Sequence, residues 1–154
     1  MATYRGINIY DPSKEKLSLL KLPGELSTND FRQLIAIGED KFLAGIMGGF
    51  AIIDTNGKSI TYYNTFQKGL ANAVLNGVQS TDGKFWLGTN SGLLVFDPST
   101  NSLQRLDKSN GLVSNTSFVV INDRKDMGVL RCGNQHHRPK NQYQFDLAKK
   151  GRIA

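Results

Sequence analysis

The sequence predicts an all-β protein built from a repeated four-stranded unit. Three observations carry this. Several position classes recur every 43 residues. The apolar runs are four to eight residues long, and turn-forming pairs stand between them. Asp11, Asp54 and Asp97 are 43 apart, and each ends an apolar run: Ile7 to Tyr10, Phe50 to Ile53, Leu93 to Phe96. Gly6, Gly49 and Gly92 precede those runs at the same interval, as do Asn29, Asn72 and Asn115 in another class. Gly45 and Gly88 also match. A period of about 40 to 50 residues belongs to propeller blades or to helical HEAT-type arrays. Helical arrays need longer windows with a 3.6-residue period. The chain shows short runs and turn pairs instead, so the predicted fold is a β-propeller, here partial and incomplete as a ring.

The best copy gives the strands in order. The innermost is about Ala73–Ser80, the second Phe85–Gly88, the third Leu93–Phe96 and the outermost Leu103–Leu106. Turns are marked by Thr55-Asn56-Gly57, Thr81-Asp82-Gly83, Asn90-Ser91-Gly92 and Asp97-Pro98-Ser99; Asn-Gly and Asp-Gly suit the positive φ that hairpins require. The run Leu17 to Leu22 reads as a strand, because its counterparts Ile60 to Tyr63 and Leu103 to Leu106 are β-like. Phe85-Trp86-Leu87 is apolar without a break, as in a strand covered on both faces. The chain of 154 residues holds about 3.6 repeats against the 4 to 8 blades of a closed propeller. The expected divisions are a partial blade 1–26, blades 27–69 and 70–112, a partial blade 113–126, and a divergent, poorly structured basic tail 127–154. Such a half-ring leaves open faces and edges that favour self-association.

The string from Asp82 to Asp97, with Asp82-Gly83, Trp86, Gly88-Thr89, Gly92-Leu93 and the final Asp97, resembles the two-component-regulator propeller repeat. Gly69-Leu70, Asn72 and Val74 resemble the lead-in of the same repeat. The copy at 29–54 keeps Gly45, Gly49 and Asp54 but has Leu43 for Trp and Ile46 for Thr. The fourth copy starts well at Gly111-Leu112 and Asn115, then puts Arg131 in the slot of Trp86. Past Gly133 no further strand is legible, and Gln144-Phe145-Asp146 only mimics a strand ending, out of register. The resemblance covers about residues 2–126. It implies a sensor domain, periplasmic, on the N-terminal side of a sensor histidine kinase and often responsive to oligosaccharides. It implies no cofactor and no catalytic role for this segment.

Charge and composition exclude several other classes. The net charge of +6 invites a nucleic-acid reading, but residues 1–122 are nearly balanced, with 11 Lys/Arg against 10 Asp/Glu. The excess lies in 123–154, with 8 against 3, so the basic character belongs to the tail and not to a binding face. No run approaches the roughly 20 apolar residues of a spanning helix, and no apolar signal segment follows Met1. Cys132 is the only cysteine, which excludes an internal disulfide. His136 and His137 are adjacent and lack the spacing of a metal site. The repeats contain no His or Cys for nucleophilic catalysis. Met47-Gly48-Gly49 lacks the Lys-Ser/Thr of a phosphate loop.

Asn29, Asn72 and Asn115 precede the inner strands. They are candidates for the mouth of a central channel, with turn hydrogen bonding as their plainer role. The structural repeat set is Gly6, Gly45, Gly49, Gly88, Gly92, Trp86, Asp11, Asp54 and Asp97. The expectation is a non-catalytic, ligand-sensing propeller segment. Its alternatives are a self-associating propeller lectin and a streptogramin-lyase-like enzyme, which would need a histidine among the repeats.

Overall fold

The computed structural model describes residues 1–22, 30–56, 58–112, 118–123, 126–131 and 145–148. These residues form two compact units, Met1–Val74 and Leu75–Ala154. Every sheet is an antiparallel meander in which strands consecutive in sequence are neighbours. That is the strand pattern of propeller blades. Among the described residues there is no α-helix, and only Lys108–Asn110 forms a short 3-10 turn. No helix there is long and apolar enough to cross a membrane.

The first unit holds two sheets. The first sheet is β1 (Ala2–Thr3), β2 (Gly6–Asp11) and β3 (Lys16–Leu19), in that order. The second is β4 (Phe31–Ala36), β5 (Lys41–Ile46), β6 (Gly49–Asp54) and β7 (Ser59–Asn64). Strands β5 and β6 are apolar on both faces: Leu43, Ala44, Ile46, Phe50, Ala51 and Ile53 are all buried. Ile7 of the first sheet joins Phe31, Ala44, Ile46, Ala51 and Ile53 in one cluster. Each fully buried side chain of this size stabilises the fold by about 1.5–3 kcal/mol before entropy is subtracted. Phe50 and Tyr63 are cross-strand partners, and their rings stack with centroids 4.6 Å apart.

The second unit begins with β8 (Val74–Gln79 across the boundary), followed by β9 (Phe85–Thr89), β10 (Gly92–Asp97) and β11 (Ser102–Leu106). The strands predicted for this copy are all present, with ends shifted by about one residue. Phe85 and Leu87 are fully buried. Trp86 is half-buried and packs against the Leu93–Leu106 cluster, as do Val78, Val95 and Leu112. Strands β12 (Phe118–Asp123), β13 (Asp126–Arg131) and β14 (Phe145–Ala148) make a further sheet. Strands β13 and β14 fall largely within 127–154, the segment expected to be a divergent and poorly structured tail. There Met127 to Leu130 pair with Phe145 to Ala148. The rest of 127–154, including Cys132, His136 and His137, lies outside the described residues.

The 43-residue period has a backbone counterpart. Gly49 and Gly92 open β6 and β10 with φ of 153° and 124°. A Cβ there would lie 2.0 Å from the Tyr63 carbonyl oxygen and 2.5 Å from that of Leu106, so no side chain fits. At the other strand end, Asp11 and Asp97 accept from the backbone N–H and the hydroxyl of Ser13 and Ser99. Four residues after each repeated Asp, Glu15, Lys58 and Asn101 adopt the left-handed conformation, with φ of 48°, 49° and 54°. Asp54 has no serine two residues on and instead pairs with Lys41 at 3.3 Å. The repeated aspartates are thus turn residues.

Candidate functional site

The first unit gathers an unusual group of side chains where its two-residue turns meet the start of β4. The turn between β1 and β2 is Tyr4–Arg5, set by the pairing of Thr3 with Gly6. The Thr3 hydroxyl donates to the Gly6 carbonyl at 2.7 Å and accepts from the Arg5 N–H at 3.3 Å. The turn between β5 and β6 is Met47–Gly48, set by Ile46 and Gly49. Here Ile46 replaces threonine and is buried in the apolar cluster, so no hydroxyl caps the turn.

A different arrangement holds that second turn. The Gly48 N–H, on a residue with φ of 86°, donates to the Asn72 carbonyl at 2.7 Å. The Gly48 carbonyl accepts from the Thr65 N–H at 3.0 Å and the Phe66 N–H at 3.2 Å. Thr65 is fully buried, and its hydroxyl donates to the Ala71 carbonyl at 3.0 Å. The chain between β7 and Ala73 is thereby tied to the turn, with Phe66 left exposed.

Arg32, the second residue of β4, extends along this surface. Its Nη2 donates to Asp30 Oδ2 at 2.8 Å. Its Nη1 lies 3.4 Å from the Tyr4 hydroxyl, and its guanidinium carbon sits 5.0 Å from the Tyr4 ring centroid. Met47 Sδ lies 3.7 Å from Nη2. Tyr4 is 72% exposed, so the ring carries a cation at one face and is open elsewhere. The Arg32–Asp30 pair is itself partly covered, its side chains 31% and 21% exposed.

This surface offers a planar ring, a guanidinium with hydrogen-bond donors, a carboxylate with acceptors and a thioether. It contains no nucleophile–base pair. No group of three or more His, Cys, Asp or Glu able to hold a metal occurs among the described residues. Such groups are chemically able to contact a polar molecule that also has an apolar face.

Of the residues singled out in the sequence, Asn72 is exposed beside this surface, and its backbone carbonyl holds the Met47–Gly48 turn. Asn29 and Asn115 lie outside the described residues. Gly45 stands where a Cβ would be 2.7 Å from the Val74 carbonyl oxygen. Gly88 pairs with Leu93 across β9 and β10. The sequence reading missed Tyr4, Asp30, Arg32 and Met47. The repeat itself carried the signal, because Asp30 and Arg32 stand 43 residues before Ala73 and Leu75. Likewise Tyr4 and Met47 stand 43 residues apart, each two residues before a repeated glycine, Gly6 and Gly49. Charged residues in an apolar slot of a repeat mark a departure from purely structural use.

Comparison with known proteins places the fold. The chain is similar to the extracellular domain of the hybrid two-component system BT3049 of B. thetaiotaomicron. The TM-score is 0.68 at 21% identity, covering 84% of this chain and 17% of that one. It is also similar to the extracellular domain of BT4673 of the same organism, in two structures. One gives a TM-score of 0.67 at 20% identity and the other 0.65 at 19%; each covers 84% of this chain and 18% of that one. The chain thus spans less than a fifth of the solved domains it matches. No protein-family model matches it, and no curated protein matches it.

Proposed function

We propose that this chain is a non-catalytic, ligand-sensing segment of a signal-transducing receptor of the two-component type, working outside the cytoplasm, in the periplasm. Two supports are independent of each other. The repeat from Asp82 to Asp97 resembles that of two-component propeller sensors. The fold is that of extracellular domains of such systems. The parent protein would be a sensor histidine kinase, and the ligand an oligosaccharide or a similar extracellular molecule.

The observation that carries the binding role is the ladder of Asp30, Arg32 and Tyr4. A pyranose has one face of C–H bonds that can lie on an aromatic ring, and hydroxyl groups around its edge that donate to a carboxylate and accept from a guanidinium. Tyr4 and Arg32 offer the ring and the guanidinium on an exposed surface, with the half-buried Asp30 carboxylate beside Arg32 and with Asn72 and Phe66 exposed nearby. A panel of neutral and acidic oligosaccharides, titrated calorimetrically against the chain and its Tyr4→Ala variant, tests the reading. Saturable binding that is lost in the variant is the expected result. Binding that is indifferent to Tyr4 and Arg32 would overturn this site. Turnover of any of these sugars would overturn the non-catalytic role.

A further inference from the structure

The loop that follows β7 is held by its backbone and carries an exposed apolar ring. The Phe66 N–H donates to the Gly48 carbonyl at 3.2 Å, and the Phe66 carbonyl accepts from the Gly69 N–H at 2.9 Å. The Thr65 carbonyl accepts from the N–H groups of Leu70 at 2.9 Å and Ala71 at 3.3 Å. The Gln67 N–H donates to Asn64 Oδ1 at 2.8 Å. None of these bonds uses the Phe66 side chain, which is 61% exposed. A ring presented to water on a backbone that is already fixed loses little freedom when it meets a ligand.

The next copy of the repeat shows that the fold does not need this ring. Between Leu106 and Gly111 stand four polar residues, Asp107-Lys108-Ser109-Asn110, in a turn closed by a capping box. Between Tyr63 and Gly69 stand five, Asn64-Thr65-Phe66-Gln67-Lys68. The earlier loop is one residue longer and is the one that holds an aromatic side chain. A departure of this kind within a repeat marks a use beyond folding. Phe66 stands between β7 and β8, away from either end of the chain.

Contacts join Phe66 to the surface around Arg32. The Arg32 guanidinium lies over Tyr4 and beside Met47 Sδ, Met47 shares a two-residue turn with Gly48, and the Gly48 carbonyl holds Phe66. The Tyr62 hydroxyl reaches the same turn: a Cβ on Gly48 would lie 2.7 Å from it. We propose, on the reading of this surface as a sugar site, that it takes at least two linked sugar units. The C–H face of one lies on Tyr4 and that of another on Phe66, with Arg32, Met47 and the Tyr62 hydroxyl between them. A single pyranose cannot cover both rings, because in the order of contact the Arg32 and Met47 side chains separate them. A chain of pyranoses offers C–H faces and hydroxyl edges in turn, which matches a row of ring, guanidinium, thioether, hydroxyl and ring. Once one ring is engaged the second contact is intramolecular, so affinity rises with the length of the ligand.

Calorimetric titration of the whole chain with two series tests this: glucose, cellobiose and cellotriose, and galacturonic acid with its dimer and trimer. In the series that binds, affinity is expected to rise at least tenfold from the single sugar to the trimer. Phe66→Ala should remove that gain and leave the affinity for the single sugar unchanged, whereas Tyr4→Ala should weaken both. Tyr62→Phe should lower the affinity for the trimer alone. Phe66→Trp should restore the gain, which a merely structural role of the loop would not do. If circular dichroism shows that Phe66→Ala does not fold, Phe66→Leu makes the same comparison, since it stays apolar but has no ring. Binding that depends on Tyr4 but is equal for single sugar and trimer, or is indifferent to Phe66, overturns the two-unit site and leaves the Tyr4 surface standing. Binding indifferent to Tyr4, or no binding in either series, overturns both.

Discussion

The guanidinium of Arg32 lies over the ring of Tyr4, 5.0 Å from its centroid, although the two residues are 28 positions apart. The contact joins the first turn of one sheet to the first strand of the next. Tyr4 is 72% exposed, so the contact adds little stability, about 0.5–1 kcal/mol. Its removal should therefore be felt in binding. Tyr4→Ala and Arg32→Ala are each expected to weaken oligosaccharide binding at least tenfold by calorimetry. Thermal midpoints should change by no more than one or two degrees. Arg32→Lys should rescue only part of the loss, since an ammonium lacks the planar fork that can stack on a ring and reach Asp30 together. Full rescue would show that charge alone matters at this position.

Gly49 and Gly83 both have positive φ, yet substitution should separate them. At Gly49 a Cβ would lie 2.0 Å from the Tyr63 carbonyl oxygen and 2.9 Å from the Thr65 nitrogen. At Gly83 nothing lies within 4 Å. Gly83→Ala should cost only the strain of a left-handed residue, about 1–2 kcal/mol. Gly49→Ala must also move the backbone of β7, and a loss above about 3 kcal/mol is expected, within the range of severe single substitutions. Urea denaturation of the two variants measures the difference. Equal losses would mean that the close approach of β6 to β7 is easily relaxed.

The contrast between these glycines also explains how much the sequence discloses. Strands β8 to β11 were legible because each is bounded by residues whose chemistry acts locally: Asp82-Gly83, Asn90-Ser91-Gly92, Asp97-Pro98. The roles of Gly49 and Asp97 followed from their period, since a repeated turn needs the same residue each time. The surface around Arg32 was not legible in the same way. Its members come from two sheets, and only packing of Ile7 against Ala51 and Ile53 brings them near.

Thr89 is the residue that Ile46 replaces in the preceding copy. It is fully buried, donates to the Gly92 carbonyl at 2.7 Å and accepts from the Ser91 N–H at 3.0 Å. Thr89→Val keeps the shape and removes both bonds. Leaving buried backbone groups unpaired is expected to cost about 1–3 kcal/mol. Thr3→Val removes the equivalent bonds where the side chain is half-buried and water can replace them, so a smaller loss is expected. The comparison of denaturation midpoints checks this order. A larger loss at Thr3 would place the main constraint on the turn beside Tyr4 instead.

The acid side of the stability curve should be governed by the turn aspartates. The Ser13 hydroxyl, followed by the Lys14 ammonium, holds the Asp11 carboxyl below its usual range. The Ser99 hydroxyl does the same for Asp97, and Ser109 for Asp107. A carboxyl whose folded value is depressed binds protons more weakly folded than unfolded, so its contribution is present above the unfolded value of about 3.9 and is lost as pH falls through the folded value. The thermal midpoint should therefore stay nearly level from about pH 7 to about pH 5 and decline below about pH 4. Ser99→Ala removes the main donor to Asp97. The variant should melt below the native chain at neutral pH, and the gap should shrink as both are taken to about pH 2, where the carboxyl is neutral in either protein. A gap that stays constant with pH would mean that Ser99 acts through the geometry of the turn and not through the charge of Asp97.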